Sequence, residues 1–424
     1  MFSLGLLVAG VGATRGVRGA SVSWSAPDLD TFSYENAVGP GGRILAPSFT
    51  GGLTLNAGAF MPQTVQDPAR LGMAMMAFST LAQIPTTTDW TKYQVSSATV
   101  TLKMMSGSGG TLLYDPSPIS NATILNEMIG GGTTTLRPME LYGVGFRDGY
   151  TGFDFTNTTP GPPLFGEGTH PYGSTDGGYI PYPIVGNPAH AGQHIDVSNS
   201  LTGGFSATAT GNTTAPFDVT PWAIGKVNGL ATDAPIPNDT TFSFQLDLSL
   251  PGVRDYAQQS LTKGGLGFFL SSLHNSEEFG LGGGYPQWYT KEAVGVFAGA
   301  APAMLAIDYR LVGDFDGNGV VNTEDYSKWK TDFGTHVVPG SGADANGNGV
   351  IDAGDYTQWR DHLGNASAGS GSLAADVVPE PNPLVLCCLA VLSLGGGGLR
   401  FRRATHLVRL DLHRPERFGD LGQP

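Results

Sequence analysis

Apolar and polar residues alternate with a period of two along several segments of this 424-residue chain. From Thr241 to Leu250, five apolar side chains fall on one face and polar side chains on the other, and Ala98 to Met104 follows a similar pattern. A period of two is typical of a strand with one buried face. Four apolar runs predict more deeply buried strands: Met73 to Phe78, Met139 to Phe146, Leu266 to Leu273 and Met304 to Val312.

Residues 21–312 show no comparable helical periodicity. The chain contains 63 Gly and 29 Pro, a composition that fits short strands and turns better than long helices. We therefore expect a mainly β chain, in which residues 21–312 form an ectodomain with the fold of an antiparallel β-sandwich or jelly roll.

The order of segments in this region resembles that of secreted bacterial β-sandwich modules of the DNRLRE and carbohydrate-binding type. The resemblance rests on the strand from Ala98 to Met104, on Phe217-Asp-Val-Thr-Pro-Trp222 and on a closing strand from Pro302 to Tyr309. It implies a β-sandwich fold more than it implies any particular ligand.

Two long irregular segments, residues 156–198 and 275–291, interrupt the predicted strands. Both contain several Gly residues together with aromatic residues. Long loops on a rigid scaffold are frequent binding surfaces, and aromatic rings exposed there would stack on the sugar rings of an extracellular glycan. The alternative is that the rings pack the loops onto the sandwich. The aromatic residues concerned are Phe165, Tyr172, Tyr179, Tyr182, Tyr285, Trp288 and Tyr289.

The charge and the cysteines exclude two classes of protein. A formal net charge of −14 argues against nucleic acid as a partner and favours cations or neutral partners. The two cysteines, Cys387 and Cys388, are adjacent, so no disulfide framework can hold the fold together. Stability must come from packing and from metal binding.

An acidic loop occurs twice near the C-terminus. Each copy has oxygen-bearing side chains at positions 1, 3, 5, 9 and 12 and a Gly at position 6, the pattern of a calcium-binding EF-hand-type loop. Position 7 would contribute its backbone carbonyl. The sequence therefore predicts two Ca²⁺ sites, with the ligands Asp314, Asp316, Asn318, Val320, Asn322 and Asp325 in the first and Asp344, Asn346, Asn348, Val350, Asp352 and Asp355 in the second.

A matching helix is predicted after each loop, over Tyr326 to Gly334 and over Tyr356 to Gly364. Asp rather than Glu closes each loop, and a single helix follows it. Residues 313–364 therefore resemble the dockerin type I duplication, which implies docking to a cohesin-like partner; a calcium-stiffened stalk is the alternative. We expect the module to fold only with metal, because its carboxylates would otherwise repel one another.

Residues 1–20 are rich in apolar and small residues, with a small-residue cleavage site before Ser21. This pattern predicts a secretory signal peptide. An ordinary N-terminal strand is the alternative.

The C-terminal part contains a second targeting pattern. A linker at residues 365–378 leads to a Pro-Glu-Pro motif, an apolar transmembrane segment at 384–399 and an arginine cluster. Residues 379–403 resemble the PEP-CTERM sorting signal, which implies recognition by an exosortase-type processing enzyme; a plain membrane anchor is the alternative. The positive-inside rule makes residues 404–424 a cytoplasmic tail. The sorting residues are Pro379, Glu380, Pro381, Arg400, Arg402 and Arg403.

The sequence indicates no catalytic site. His190 and His194 stand four apart, but without the intervening Glu and the helix that a zinc protease requires. Glu277-Glu278 could form half of a glycosidase pair, yet no second carboxylate is identified. Asp148, Asp154 and Asp218 are equally unsupported as partners.

We therefore expect a secreted, non-catalytic protein of the cell envelope or extracellular matrix, anchored transiently or stably through residues 384–399. The alternative is an extracellular polysaccharide-binding or polysaccharide-degrading protein that acts through the loops of the β-sandwich.

Overall fold

The computed structural model describes residues 20–34, 37–38, 44–50, 53–56, 59–62, 71–84, 89–108, 111–129, 136–156, 161–166, 180–190, 192–202, 217–274 and 285–366. The chain divides into two units, residues 1–376 and 377–424, and every described residue belongs to the first. The predicted sorting signal, the apolar segment at 384–399 and residues 1–19 of the predicted signal peptide lie outside the described residues.

Strands contain more of the described residues than helices do. The first ten are Ala20–Trp24 (β1), Leu29–Tyr34 (β2), Ala37–Val38 (β3), Leu45–Pro47 (β4), Phe49–Thr50 (β5), Leu53–Asn56 (β6), Ala59–Pro62 (β7), Leu71–Ser79 (β8), Tyr93–Ser108 (β9) and Met139–Phe146 (β10). The others are Gly152–Asp154 (β11), Leu164–Gly166 (β12), Pro181–Gly186 (β13), His194–Asp196 (β14), Ala223–Ile224 (β15), Thr240–Gln245 (β16), Gly265–Ser272 (β17), Tyr285–Tyr289 (β18) and Met304–Leu311 (β19).

Helices are short and few in this part of the chain. The α-helices are Asn121–Ile129 (α1), Ser198–Thr202 (α2), Val253–Lys263 (α3), Thr323–Asp332 (α4) and Ala353–His362 (α5). Single 3₁₀ turns form at Trp90–Lys92 and Lys291–Ala293. No helix among the described residues is long and apolar enough to cross a membrane.

The long strand β9 is the centre of a six-stranded antiparallel sheet. It pairs with β16, β18 and β19, while β1 extends the sheet beyond β19 and β4 extends it beyond β18. In β16, Phe242 and Phe244 are buried whereas Thr241 and Ser243 are exposed. This sheet therefore has the one-sided burial that its alternating sequence predicts.

A nine-stranded antiparallel sheet forms the second layer. Its main path is β14-β13-β10-β17-β8-β2-β3, with β15 also paired to β10 and β5 to β8. Met73 to Phe78 in β8 are buried without interruption, as are Met139 to Val144 in β10. Both faces of these central strands are covered, which explains their continuous apolar runs. Two small pairs complete the β structure: β11 with β12, which is parallel, and β6 with β7.

The two sheets share one hydrophobic core. Trp24 in β1 and Phe244 in β16 come from the first sheet, and Phe78 and Phe268 come from the second. The Trp24 indole also donates a hydrogen bond to the Ser79 carbonyl at the end of β8 (2.8 Å), which joins the two sheets directly.

The predicted mainly β chain with antiparallel sheets is confirmed. One strand is shorter than expected: β16 ends at Gln245, because the Asp247 carboxylate accepts a hydrogen bond from the Ser249 N–H (2.9 Å) and forms a turn. Residues 21–312 also contain helices, although no sustained helical periodicity is evident in their sequence. Helix α3 buries Val253, Tyr256, Ala257, Ser260 and Leu261, which have helical spacing.

Candidate metal centre

Strand β19 leads into the first acidic loop without a linker. The strand ends at Leu311, and the Asp314 N–H at position 1 of the loop donates to the Leu311 carbonyl (3.2 Å). Between them, the Val312 N–H donates to the Lys92 carbonyl (2.8 Å). The first loop position is therefore fixed relative to the sheet.

Two buried carboxylates organise the first loop. Asp314 accepts hydrogen bonds from the backbone N–H groups of residues 317–319 at 2.9, 3.1 and 3.0 Å. Asp325 accepts from the N–H groups at loop positions 2, 3 and 9, at 2.7, 3.0 and 2.9 Å. Gly319 has a φ of 86°, which a residue with a side chain would adopt only with strain.

The second loop repeats this arrangement. Asp344 accepts from the N–H groups of residues 347–349 at 2.8, 3.2 and 2.8 Å. Asp355 accepts from the N–H groups at positions 2, 3 and 9, at 2.8, 3.0 and 2.8 Å. Gly349 at position 6 has a φ of 80°. The sequence repeat is thus a structural repeat as well, and Asp344 accepts one further bond, from the Gly340 N–H (2.8 Å).

Three carboxylates converge in the first loop. One oxygen each of Asp314, Asp316 and Asp325 lies within 4.8 Å of the others. Asn346 stands in the second loop where Asp316 stands in the first, so an amide oxygen replaces a carboxylate there. Carboxylate and amide oxygens are both ligands that a hard divalent cation prefers, and both sets of donors therefore fit such an ion.

The burial of these carboxylates makes their negative charge unfavourable without a cation. Burial raises the pKa of Asp325 to about 7. Repulsion from the Asp316 and Asp314 carboxylates acts in the same direction, and backbone hydrogen bonds oppose it. Burial also raises the pKa of Asp314 and of Asp355. A bound cation would remove this penalty, because it stabilises the ionised form.

Each loop also begins a helix. The side chain of Asn322 accepts from the Glu324 N–H (2.6 Å), while the Asn322 N–H donates to Asp325, and this reciprocal pair is a capping box at the start of α4. Asp352 and Asp355 form the same box at the start of α5. Because of these caps, each helix begins three residues before the predicted start.

The predicted helix ends are observed. Gly334 and Gly364 follow α4 and α5 with φ values of 82° and 86°. Aromatic residues of the two helices contact one another across the pair: the ring centroids of Tyr326 and Trp359 are 5.3 Å apart, as are those of Trp329 and Tyr356.

The two repeats depend on each other through reciprocal hydrogen bonds. The Trp329 indole donates to the Asp352 carbonyl and the Trp359 indole donates to the Asn322 carbonyl, both at 2.8 Å. The buried residues at position 8 of each loop also form hydrogen bonds with the other repeat. Val321 exchanges backbone hydrogen bonds with residues 364–365 after α5, and Ile351 does so with residues 334–335 after α4.

The second loop is fastened to the six-stranded sheet by Arg310, a buried residue of β19. Its guanidinium donates to the carbonyls of Gly342 (2.6 Å), Gly340 (2.9 Å) and Asp344 (3.0 Å), and to the Gln94 side chain. Burial lowers the pKa of Arg310, and the Asp314 and Asp344 carboxylates oppose this effect. Gln94 in turn donates to the Ala345 carbonyl (3.4 Å). Sequence reasoning missed Arg310, since nothing in its local pattern marks it.

The aromatic residues proposed as glycan contacts occupy different environments. Trp288 is buried and its indole donates to the Ser48 hydroxyl (3.0 Å). Tyr289 is buried with its hydroxyl donating to Asp239 (2.8 Å), and Phe165 is buried as well. Tyr182 is only half-buried and lies under the Arg147 guanidinium. Packing is therefore the role of the first three; Tyr172 and Tyr179 lie outside the described residues.

The structure brings none of the candidate catalytic carboxylates into a pair with His190 or with each other among the described residues. Asp154 is buried and accepts hydrogen bonds from Thr156, which fixes a turn. Asp218 accepts a hydrogen bond from the Thr123 hydroxyl (3.3 Å). Glu277 and Glu278 lie outside the described residues. His194 lines a cavity in the second sheet, away from the acidic loops.

Comparison with known proteins supplies no relative. No protein-family model matches this chain, and no curated protein and no solved structure shows significant similarity to it. The geometry of the described residues is therefore the basis for a proposed function.

Proposed function

We propose that this chain is a secreted, non-catalytic protein of the cell envelope, in which two Ca²⁺ ions stabilise a dockerin-like pair of loops. The β region, with two antiparallel sheets around one core, would be its β-sandwich ectodomain. Export through the predicted signal peptide and sorting through residues 379–403 by an exosortase-type enzyme belong to the same proposal.

The convergence of the Asp314, Asp316 and Asp325 carboxylates carries the calcium proposal. Three carboxylates this close repel one another, and a protein that keeps two of them buried needs a compensating charge. The ligands would be the side chains at positions 1, 3, 5, 9 and 12 and the carbonyl at position 7 of each loop. When bound, Ca²⁺ supplies only charge and coordination there, which are structural contributions.

The contacts of Arg310 favour a structural role for the pair of loops over a role as a docking module that is independent of the sheets. The Arg310 guanidinium bonds to the carbonyl of Asp344, the first residue of the second loop, and to two carbonyls of the segment just before that loop. Arg310 itself belongs to β19, an internal strand of the six-stranded sheet. Calcium would therefore stabilise the ectodomain together with the loops. Docking of a cohesin-like partner stays a prediction. The dockerin resemblance implies that Thr323-Glu324 and Ala353-Gly354 would set its specificity, and Glu324, Ala353 and Gly354 are exposed.

Calorimetric titration of the full-length, chelator-treated protein with CaCl₂ tests the proposal. We expect two binding events in the natural protein and none in the double variant Asp325→Asn, Asp355→Asn. The matched control is Asp361→Asn, an exposed aspartate of α5 outside both loops, which should keep both events. Absence of calcium binding in the natural protein, or unchanged binding in the double variant, would refute the assignment.

The alternative function, glycan binding, does not gain support from Trp288 or Tyr289, because both are buried. A different observation favours it. The described residues of the second sheet contain a cavity with half-buried aromatic rings, one of which is the Tyr182 ring predicted to be a glycan contact.

A further inference from the structure

A cavity of about 310 Å³ lies between α3 and the strands β10, β11 and β13. This volume is at the lower end of the range of small-molecule sites, about 300–1,000 Å³, and suits a ligand built around a single ring. Neither acidic loop contributes to it.

The cavity opens where two strands stop pairing. Strands β10 and β17 are paired as far as Gly143 and Phe268. At the next position the Tyr256 hydroxyl accepts from the Val144 N–H (3.0 Å) and donates to the Gly267 carbonyl (2.8 Å). The Tyr256 side chain of α3 thus takes the place of one backbone hydrogen bond between the two strands. The Val144 N–H and the Gly267 carbonyl keep hydrogen-bond partners although the strands separate there.

Aromatic rings form one wall of the cavity and lie directly on glycines. A Cβ on Gly267 would stand 2.4 Å from the Phe153 ring, and one on Gly265 would stand 2.8 Å from the Phe155 ring. Phe146, Phe153, Phe155 and Tyr182 are each only half-buried although they belong to the lining. They therefore present ring surface to the cavity, which is what stacking on a flat ligand requires.

Polar side chains of helix α3 form the opposite wall. Tyr256, Gln259, Ser260 and Lys263 have the spacing of one helical face and all line the cavity. Within the described part of the chain, the Gln259 amide has no hydrogen bond and the Lys263 ammonium has no ion pair. His194 also lines the cavity, and its Nε2 atom is buried.

The charge of the lining is opposite to that of the protein. The chain has 36 acidic residues against 22 Lys and Arg, yet the lining contains one lysine and no acidic residue. Burial lowers the pKa of His194, so this ring stays neutral at neutral pH and serves as a hydrogen-bonding group. An anionic group would be attracted to Lys263, and hydroxyls would suit Gln259 and His194.

We propose that this cavity binds a hexuronic acid unit, a sugar ring whose carboxylate pairs with Lys263. The apolar face of the ring would stack on Phe153 and Tyr182, and its hydroxyls would bond to Gln259 and His194. The inference is independent of calcium binding, since the acidic loops take no part in the cavity.

Saturation-transfer NMR titration of the full-length protein with glucuronate, glucose and benzoate tests the inference. Glucuronate should bind about tenfold more tightly than glucose, because glucose lacks the charged partner of Lys263. Benzoate shares the carboxylate but lacks the hydroxyls, so it should bind more weakly than glucuronate. If benzoate bound as tightly as glucuronate or more tightly, the ligand would be an aromatic acid and not an acidic sugar. If glucuronate did not bind, the proposed binding site would be wrong.

Two variants locate the binding. Lys263→Met should weaken glucuronate binding about tenfold and leave glucose binding unchanged, whereas Tyr182→Ala should weaken both. Lys226→Met, at an exposed lysine outside the cavity, is the matched control and should bind as the natural protein does. An equal effect of the Lys263 and Lys226 variants would show that the carboxylate does not bind in this cavity. Circular dichroism of each variant verifies that the fold is intact.

Discussion

Arg310 donates a hydrogen bond from its Nη2 atom to the backbone carbonyl of Asp344, the first residue of the second acidic loop (3.0 Å). This bond joins the last strand of the six-stranded sheet to a predicted metal loop. Loss of this bond should therefore affect the second loop and the sheet together.

We expect Arg310→Met to lower the free energy of unfolding by about 3 kcal/mol or more. The substitution leaves several carbonyls and the Gln94 amide oxygen without their donor, and each such buried loss costs about 1–3 kcal/mol. Urea unfolding of the full-length protein in saturating CaCl₂ measures it. Arg360→Met, at an exposed arginine paired with Asp361, is the control and should change stability by less than about 0.5 kcal/mol. Equal effects of the two substitutions would contradict the fastening role.

The reciprocal indole bonds predict effects that cross between the repeats. Trp359 belongs to the second repeat but bonds to Asn322 of the first loop, so Trp359→Phe should weaken calcium binding at the first site. Trp329→Phe should weaken the second site. Loss of one hydrogen bond of about 1 kcal/mol corresponds to about a fivefold change in Kd.

Each site can be read separately for this test. In the Asp355→Asn background calorimetry reports the first site, and in the Asp325→Asn background it reports the second. If each tryptophan substitution weakened only the site of its own repeat, the reciprocal arrangement would be wrong.

Glu140 predicts a fall in stability as the pH rises. Its carboxyl accepts hydrogen bonds from the Asn121 N–H (2.7 Å) and the Tyr142 hydroxyl (2.6 Å), and burial raises its pKa from 4.5 to about 8. The folded protein therefore holds a proton that the unfolded chain releases between these two values. The free energy of unfolding should decrease over this window, by about 1.4 kcal/mol per pH unit at the steepest.

The substitution Glu140→Gln should remove this contribution, because an amide does not titrate. Its carbonyl oxygen can accept from the Asn121 N–H, and its NH₂ group can donate to the Tyr142 hydroxyl oxygen. Urea unfolding at pH 5 and pH 8 gives the difference between the two proteins. Glu324→Gln, at an exposed glutamate, should keep the pH dependence of the natural protein. An unchanged pH dependence in Glu140→Gln would exclude Glu140 as its source.

Trp288 should affect stability rather than glycan binding. It is 1% exposed and its ring lies 5.4 Å from the ring of Phe242 in the core. Trp288→Ala should cost about 3–5 kcal/mol, while Trp288→Phe keeps most of the apolar contact and loses the hydrogen bond to Ser48, about 1 kcal/mol. Thermal unfolding of both variants decides the matter. If the Trp288→Ala protein were as stable as the natural protein, the packing role of Trp288 would be contradicted.

Local patterns accounted for much of the fold. Strands β8, β10, β17 and β19 fall where apolar runs predicted them, because burial imposes its period directly on neighbouring residues. The acidic loops were equally visible, since all their predicted ligands lie within twelve consecutive positions. Helix α3 was missed because Ala257 and Ser260 weaken the contrast between its faces, although Gly252 and Gly264 mark both of its ends.

The contacts that assemble the candidate sites could not be read in the same way. Gln94 is 251 residues from its partner Ala345, and only the path of β9 through the sheet brings the two together. The cavity is formed from six separate segments of the β region, and its aromatic wall depends on glycines that look like ordinary strand interruptions. Such arrangements follow from topology, which single-sequence periodicity does not specify.

The pairing of β1 with β19 has a consequence for maturation. Ser21 lies opposite Asp308 in this ladder, and its hydroxyl donates to the Asp308 carboxylate. Removal of residues 1–20 during export would create a positively charged α-amino group on Ser21, next to that carboxylate. Cleavage at the predicted site would therefore bring a new positive charge onto the strand residue whose hydroxyl already bonds to Asp308.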